Sequence, residues 1–454
     1  MKYQSTIAVA IWLLLAGACH AQTQHWSNVA EQVSANMDTF RQLFQDAHTT
    51  GFGITILGDS QETAPGGGGQ FYVPTLGDEF FQYYGNVPKS GLITGTSQDS
   101  AWLSAGASAD VISVDSNYSL PSVTVGRYES TPSSSGLLAQ VATDGYTTPY
   151  LNVPDSGYFN GHPLEAELIL RTRPDSGEAF WRASLTDDDQ RSYFNGEQIG
   201  SGVTNINAAQ NQIEFVSANL GTFDLEDHKA LQIVARSADD ERSIDIVGVR
   251  YTNTVDQSGI ALQSFSRGGY SAELLLDNHS DADSQFKLLA GEDVVAIQLG
   301  ANDAAGGRSA ADFKEDLRSI ISRVRDWSDD ESLPVILISD PDFENPIALT
   351  EERRAEFDLY PGVSAELATE LENVLALNTR LIGARNNWFV GSSEFDLFTS
   401  DGIHYTQLGG SSLAQWQAAS LLSLAEPVPV PEPNVLFAVP ICLVVSSLRR
   451  RRAV

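Results

Sequence analysis

The hydrophobic pattern changes character twice along the chain. Gly53-Ile54-Thr55-Ile56-Leu57 is a short β-branched run that stops at Gly58-Asp59-Ser60, so it predicts a buried strand delivering a serine to a tight turn. Ahead of it, Trp26, Val29, Val33, Met37, Phe40 and Phe44 recur at helical spacing. They predict one amphipathic helix with Ser27 as N-cap and Gly51 as its stop. Behind it, Gly66 to Gly69 predicts a loop beside the serine. No Gly-Lys-Ser/Thr or Gly-x-Gly-x-x-Gly frame surrounds these glycines to make a phosphate cradle.

From Ile93 to Asn253 the pattern turns to short runs of period two, separated by Gly, Pro, Asn and Asp clusters. Val111 to Val114, Val123 to Tyr128, Ala166 to Arg171, Phe180 to Leu185, Ile213 to Val216, Leu231 to Ala235 and Ile244 to Tyr251 are the expected strands. Such spacing predicts an all-β sandwich inserted in the chain. Exposed aromatics there (Tyr146, Tyr150, Tyr158, Trp181, Tyr193) would suit a carbohydrate, although a core or edge place is the commoner fate of such residues. Asp187-Asp188-Asp189 reads as a solvated turn rather than a calcium site.

The α/β texture returns at Ile260. Ala261 to Phe265 reads as a strand ending in Arg267-Gly268-Gly269-Tyr270-Ser271, with a helix beginning over Ala272 to Leu276. Val294 to Leu299 is a near-continuous apolar strand, as burial on both faces of a parallel sheet requires, and it ends in Gly300-Ala301-Asn302-Asp303. Ser309 and Asp312 form a capping box ahead of the helix face Phe313, Leu317, Ile320, Val324 and Trp327. A strand over Val335 to Ile338, a helix over Leu367 to Ile382, a last strand over Trp388 to Val390 and a closing helix over Gly409 to Leu424 complete the reading. Alternation of this kind predicts a doubly wound parallel sheet with right-handed crossovers.

Charge and cysteine usage narrow the partners. A formal charge of −32 over 454 residues excludes a general nucleic-acid binder, because phosphate binding needs a basic surface that releases counterions. The two cysteines, Cys19 and Cys442, both lie in terminal segments that read as processing signals, so the mature chain would have no disulfide. No His-Glu-x-x-His or Cys cluster suggests a metal, and neither metal nor other cofactor is expected.

Four strand ends or the loops after them then carry polar residues of useful kinds: Ser60, the pair Gly268 and Gly269, Asn302, and Asp401 with His404. Acyl transfer through serine needs a base, a group that orients the base, and fixed donors for the oxyanion. His404 is the one histidine of the mature chain that follows an aspartate by three residues directly before an expected helix. No Gly-x-Ser-x-Gly elbow is present. In residue type and chain order, Gly58-Asp59-Ser60, Gly300-Ala301-Asn302-Asp303 and Asp401-x-x-His404 resemble blocks I, III and V of the SGNH (GDSL-type) hydrolases, with the glycine pair standing at block II. The resemblance covers roughly residues 25–92 and 255–425 and leaves the β insert outside. Gln61 stands where the leucine of the GDSL name would be.

That resemblance implies a flavodoxin-like doubly wound parallel sheet, with the all-β sandwich-like domain as an addition. It implies Ser60 as nucleophile, His404 as general base and Asp401 as the residue orienting it. The implied oxyanion donors are the backbone N–H groups of Ser60 and Gly269, or Gly268 in its place, with the Asn302 side chain. The expected activity is that of a carboxylic ester hydrolase removing acyl groups, acetyl foremost, from a carbohydrate. An O-acyltransferase shares the chemistry as far as the acyl-enzyme, and a matrix glycan-binding protein with a vestigial hydrolase core is the reading from another class.

At the N-terminus, Lys2 followed by the apolar run Ile7 to Leu15 and small residues reads as a secretory signal peptide. At the other end, Val428-Pro429-Val430-Pro431-Glu432-Pro433, the apolar segment Val435 to Leu448 and the arginines Arg449 to Arg452 resemble the PEP-CTERM sorting signal of Gram-negative bacteria. That resemblance implies transient inner-membrane contact, removal of the tail by an exosortase-type enzyme, and export to the envelope or extracellular matrix. The division expected is a signal peptide over 1–21, a hydrolase domain in two parts over 22–92 and 255–425, the β-rich insert over 93–254, and a sorting tail over 426–454.

Overall fold

A computed structural model describes residues 31–59, 69–93, 126–129, 150–152, 162–172, 177–187, 197–207, 215–224, 229–237, 243–264, 266, 269–277, 293–344 and 349–426. Both processing segments, Ser60, Gly268 and the expected strand over Val111 to Val114 lie outside these residues. The described residues begin with β1 (Glu31–Val33), α1 (Met37–Asp46), β2 (Phe52–Leu57) and α2 (Gly69–Tyr84). Among the described residues nine strands follow: β3 (Lys89–Ile93), β4 (Gly126–Glu129), β5 (Tyr150–Asn152), β6 (Leu164–Arg171), β7 (Glu178–Asp187), β8 (Glu197–Asn205), β9 (Phe215–Phe223), β10 (Lys229–Ser237) and β11 (Ser243–Asn253). The α/β pattern resumes with β12 (Ile260–Ser264), α3 (Ala272–Asp277), β13 (Val294–Ile297), α4 (Ala301–Gly306), α5 (Ala310–Ser328), β14 (Val335–Ile338), α6 (Glu351–Phe357) and α7 (Tyr360–Glu370). It closes with β15 (Val374–Asn378), α8 (Thr379–Arg385), α9 (Phe395–Phe398) and α10 (Gln407–Leu422).

One six-stranded sheet carries the order β1-β15-β14-β13-β2-β12. Its last five strands are mutually parallel and β1 runs antiparallel on the outer edge of β15. Numbered by chain order from β2, the parallel strands read 2-1-3-4-5, the flavodoxin-like order, so the expected fold class is what the chain adopts. Every residue of β2, β13 and β14 is buried, because helices cover both faces of the sheet. The topological switch falls between the carboxyl ends of β2 and β13, where Gly58-Asp59 and Gly300 to Asp303 emerge.

Four expectations need correction. The helix expected from Trp26 to Phe44 begins only at Met37, and Glu31–Val33 instead adds the antiparallel edge strand, paired from Glu31↔Asn378 to Val33↔Ala376. A residue at helical spacing can equally be one face of a three-residue strand, and here the open edge of β15 decides. The helix expected over Leu367 to Ile382 breaks into the end of α7, the strand β15 and α8. Asn373 at φ +54 ends the helical path, and Val374 to Leu377 are buried all round, which one face of a surface helix does not allow. Asn378 then caps α8, its Oδ1 accepting from Leu381 N–H at 3.0 Å. Trp388 to Val390 is no strand: Trp388 Nε1 donates to Asp342 O (3.1 Å) and Val390 N–H to Asp342 Oδ2 (2.8 Å), so this segment bonds a loop, not a sheet neighbour. Gly69, expected in a loop, is the first residue of α2, whose Tyr72, Leu76 and Phe80 are buried at helical spacing although Pro74 and Gly77 interrupt its propensity.

The β-rich region forms two antiparallel sheets, β5-β10-β7-β8 and β3-β11-β6-β9, with β4 also paired to β11. Alternate residues Leu164, Ala166, Leu168 and Leu170 of β6 are fully buried in the same hydrophobic cluster as Phe40, Phe80 and Leu262. One core therefore runs from the β-rich region into the α/β layer. Trp181 lies across β8, where a Cβ at Gly202 would meet its ring at 2.7 Å, and its Nε1 donates to Thr204 Oγ1 at 3.1 Å. Its ring is packed on glycine, as a sheet-face residue.

The β-rich region is rooted at the amino ends of the parallel strands. Asn253 N–H donates to Pro88 O (2.9 Å), Asn86 Nδ2 donates to the carbonyls of Asp256 and Ser258 (both 3.0 Å), and Lys89 pairs with Asp293 at 3.8 Å, one residue ahead of β13. Gly259 at φ +92 is required there, since a Cβ would stand 2.0 Å from Asn86 O. From this root β6 runs on until Ile169 joins the buried cluster of Leu57, Tyr270 and Leu275 on the α/β side.

Candidate active site

The site assembles at the carboxyl edge of the sheet. β2 ends at Leu57 and passes into Gly58 and Asp59, the latter 1% exposed. Beside it, Gln298 N–H continues the ladder past the end of β13 by donating to Leu57 O at 2.8 Å. Gly300 then turns the chain at φ +148, a conformation open to glycine, within 3.3 Å of Asp340 Oδ2 measured from where a Cβ would stand. Asp340, just past β14, accepts from Ala301 N–H at 2.8 Å and so fixes the start of α4. Burial pushes its carboxyl above the ordinary range, against the pull of that hydrogen bond.

Asn302 is the second residue of α4. Its Nδ2 donates to Asp59 Oδ2 at 2.9 Å and to Tyr270 O at 2.8 Å, so one amide joins the turn before Ser60 to the turn after β12. Asp303 makes the complementary link, its two carboxylate oxygens accepting from Ala272 N–H at 2.9 and 3.2 Å. Burial raises Asp303 to about 7, opposed by the N–H groups of Ala272 and Glu273 and assisted by the charges of Asp316 and Asp340. Gly269 sits in the same turn, exposed, at φ +82 with open space around it, so backbone conformation and not crowding asks for glycine.

Asp401 and His404 form a closed turn before α10. Asp401 Oδ1 accepts from Ile403 N–H (2.9 Å) and His404 N–H (2.7 Å), and Oδ2 stands 2.7 Å from His404 Nδ1. Burial works to raise the Asp401 carboxyl, but the hydrogen bonds from His404 and Ile403 outweigh it and hold the group below the usual carboxylate range. With Nδ1 facing the carboxylate, the basic lone pair of the neutral ring falls on Nε2. The turn is braced from three sides. Glu344 N–H donates to Gly402 O at 2.7 Å, Ser400 N–H donates to His404 O at 2.8 Å, and Thr399 pairs with Tyr405 in an antiparallel bridge. Beneath it, Trp388 stacks on Phe398 at 4.9 Å and meets Tyr405 edge-on at 5.4 Å. Thr406 caps α10 by accepting from Gly409 N–H at 3.0 Å.

The structure thus brings Asn302 against both Asp59 and the Gly269 turn, and joins Asp401 to His404. Ser60 itself, directly after Asp59, and Gly268 lie outside the described residues. Two participants were missed from sequence, Asp340 and the clamping role of Asp303. Ser339-Asp340 stands at the carboxyl end of a strand, the same placement that marked Ser60 and Asn302, and the rule applied evenly would have found it.

Residues 234–410 match the model of the GDSL-like Lipase/Acylhydrolase family, a span that contains Gly269, Asn302, Asp401 and His404. Those residues, 177 of the 454, therefore form a GDSL-like region, and the match supports a carboxylic ester hydrolase. No curated protein matches the chain. Among solved structures it is similar to a peptidoglycan O-acetylesterase, at 16% identity over 86% of this chain and 96% of that one, with a TM-score of 0.49. It is also similar to a mutant of an acetylxylan esterase from Geobacillus stearothermophilus (18% identity, 36% of this chain and 73% of that one, TM-score 0.27). A third is a salicylyl-acyltransferase from a tetracycline biosynthetic pathway (14% identity, 57% and 82%, TM-score 0.29).

Proposed function

We propose that the protein is an exported serine esterase that removes acyl groups, acetyl foremost, from a carbohydrate through an acyl-enzyme on Ser60. The observation that carries this reading is the pair Asp401–His404, joined at 2.7 Å, on the sheet edge where Asn302 is held by Asp59, the residue before Ser60. Ser60 Oγ attacks the ester carbonyl while His404 Nε2 takes its proton. The negative charge on the carbonyl oxygen is met by the N–H groups of Ser60 and Gly269 and by the Asn302 amide, which turns one of its two N–H groups from Asp59 or Tyr270 to the oxyanion. His404 returns the proton to the departing alcohol, and water, deprotonated by His404 in turn, releases the carboxylic acid. Asp401 keeps the imidazole in the tautomer this requires.

Export is proposed from the terminal segments: the signal peptide is removed, and an exosortase-type enzyme cleaves the tail after transient contact with the inner membrane. Mass spectrometry of protein recovered from the source cells is expected to show both segments missing. For the chemistry, Ser60→Ala is expected to abolish hydrolysis of a short-chain aryl ester while the thermal melt is unchanged. Undiminished turnover by that variant would sink the reading.

A further inference from the structure

We propose that Gln298 is a positioning residue that holds the strand end bearing Ser60, the helix bearing Asn302 and the loop bearing His404 in one register, an inference that rests on the roles proposed above. Gln298 is the first residue after β13 and is fully buried. Its main-chain N–H donates to Leu57 O at 2.8 Å, three residues before Ser60. Its side chain crosses to the helices that follow the two reacting groups. Oε1 accepts from Tyr72 Oη on α2 at 3.0 Å and from Gln417 Nε2 on α10 at 3.2 Å. Nε2 points at Tyr405 Oη, 3.5 Å away, and Tyr405 directly follows His404. The one Tyr72 hydroxyl hydrogen is shared between Gln298 Oε1 and Gln417 Oε1, which closes the circuit. Four residues downstream the same segment becomes Asn302.

Gln298 thus meets the nucleophile strand, α2, α10 and the base loop at once. An apolar contact between these elements would tolerate sliding, because dispersion and burial are indifferent to small shifts. A buried amide is different: it has few arrangements in which its donors and acceptors are satisfied, and the unsatisfied ones are costly. The circuit therefore fixes how far α10, and with it His404, stands from the end of β2. Proton transfer from Ser60 Oγ to His404 Nε2 depends on that separation. Gln298 is placed beneath the site, so its loss should slow the chemical step and leave substrate binding alone.

The test uses Gln298→Met, which keeps the volume and removes the partners, and Tyr72→Phe, which removes one hydroxyl, assayed on p-nitrophenyl acetate. Each is expected to lower kcat about 10-fold or more per folded molecule, with KM within about twofold of wild type. The folded fraction is read from the thermal melt at the assay temperature. The double variant is expected to fall no further than the worse single one, because both changes break one circuit. Wild-type kcat in the folded variants, a change confined to KM, or multiplying losses in the double variant would each overturn the proposal. Should Gln298→Met not fold, Tyr72→Phe decides by the same criteria. Ser60→Ala assayed alongside separates the two readings: an active Ser60→Ala removes the functional reading, whereas an inactive one beside fully active Gln298→Met and Tyr72→Phe removes the positioning role alone.

Discussion

At the scale of single residues, two carboxylates of the site respond to pH in opposite senses. Asp401 is held below its ordinary range, so its contribution to stability is present above the unfolded value near 3.8 and is lost as pH falls through the lower folded one. Half-exposed as it is, its weight is small. Asp303 is the reverse case. Its folded value of about 7 lies above the unfolded 3.8, so the folded chain favours the protonated group; that contribution is present below about 3.8 and lost as pH rises through 7. Urea denaturation of wild type and Asp303→Asn at pH 4 and pH 8 is expected to show the difference moving in favour of the variant as pH rises. A difference independent of pH would mean that burial does not shift Asp303. For the chemistry, Asp401→Asn is expected to reduce kcat by about 10²-fold or more, since the imidazole loses the partner that sets its tautomer. Steady-state kinetics on an aryl acetate at neutral pH checks this.

At the scale of elements, caps decide where helices begin, and some of them were readable. Ser309 accepts from Asp312 N–H at 3.1 Å and opens α5 where the capping box placed it. Ser309→Ala is expected to cost about 1 kcal/mol of stability, measured by urea denaturation, with kcat unchanged. β13 and β14 were legible too, because a strand buried on both faces reads as an apolar run, and β2 as a β-branched run stopped by Gly58. β15 was not. Val374-Leu375-Ala376-Leu377 is short and apolar and carries no period, so its neighbours' helical spacing absorbed it; Asn373 and Asn378 at its borders were the punctuation that separates it. α2 was missed for the opposite reason: Pro74, Gly77 and a glycine-rich approach hid a helix whose burial of Tyr72, Leu76 and Phe80 is supplied by tertiary packing.

At the scale of the whole molecule, the β-rich region and the α/β layer share a buried cluster that includes Leu164, Leu168 and Tyr251 on one side and Phe40, Phe80 and Leu262 on the other. Scanning calorimetry is accordingly expected to give one cooperative transition; two well-separated transitions would show that the shared core does not couple them. The charge of −32 acts over the same scale through self-repulsion. Raising NaCl toward about 0.5 M is expected to raise the melting temperature by screening it. A melting temperature that falls instead would mean that surface ion pairs such as Lys314 with Glu366 and Glu370 outweigh the net charge.

What the sequence determined alone was the set of chemical groups and the texture of each region. Periodicity, turn residues and polar residues at strand ends are local properties, and they suffice to single out Ser60, Asn302, Asp401 and His404 in order. What the tertiary structure decided is everything that depends on partners far along the chain. Asn302 meets Asp59 and Tyr270, Asp303 clamps Ala272, the β-rich region is rooted at the strand ends opposite the site, and Gln298 joins helices whose sequences are more than three hundred residues apart. A hydrogen bond between residues so distant leaves no period in the sequence, because it is set by the packing of whole elements.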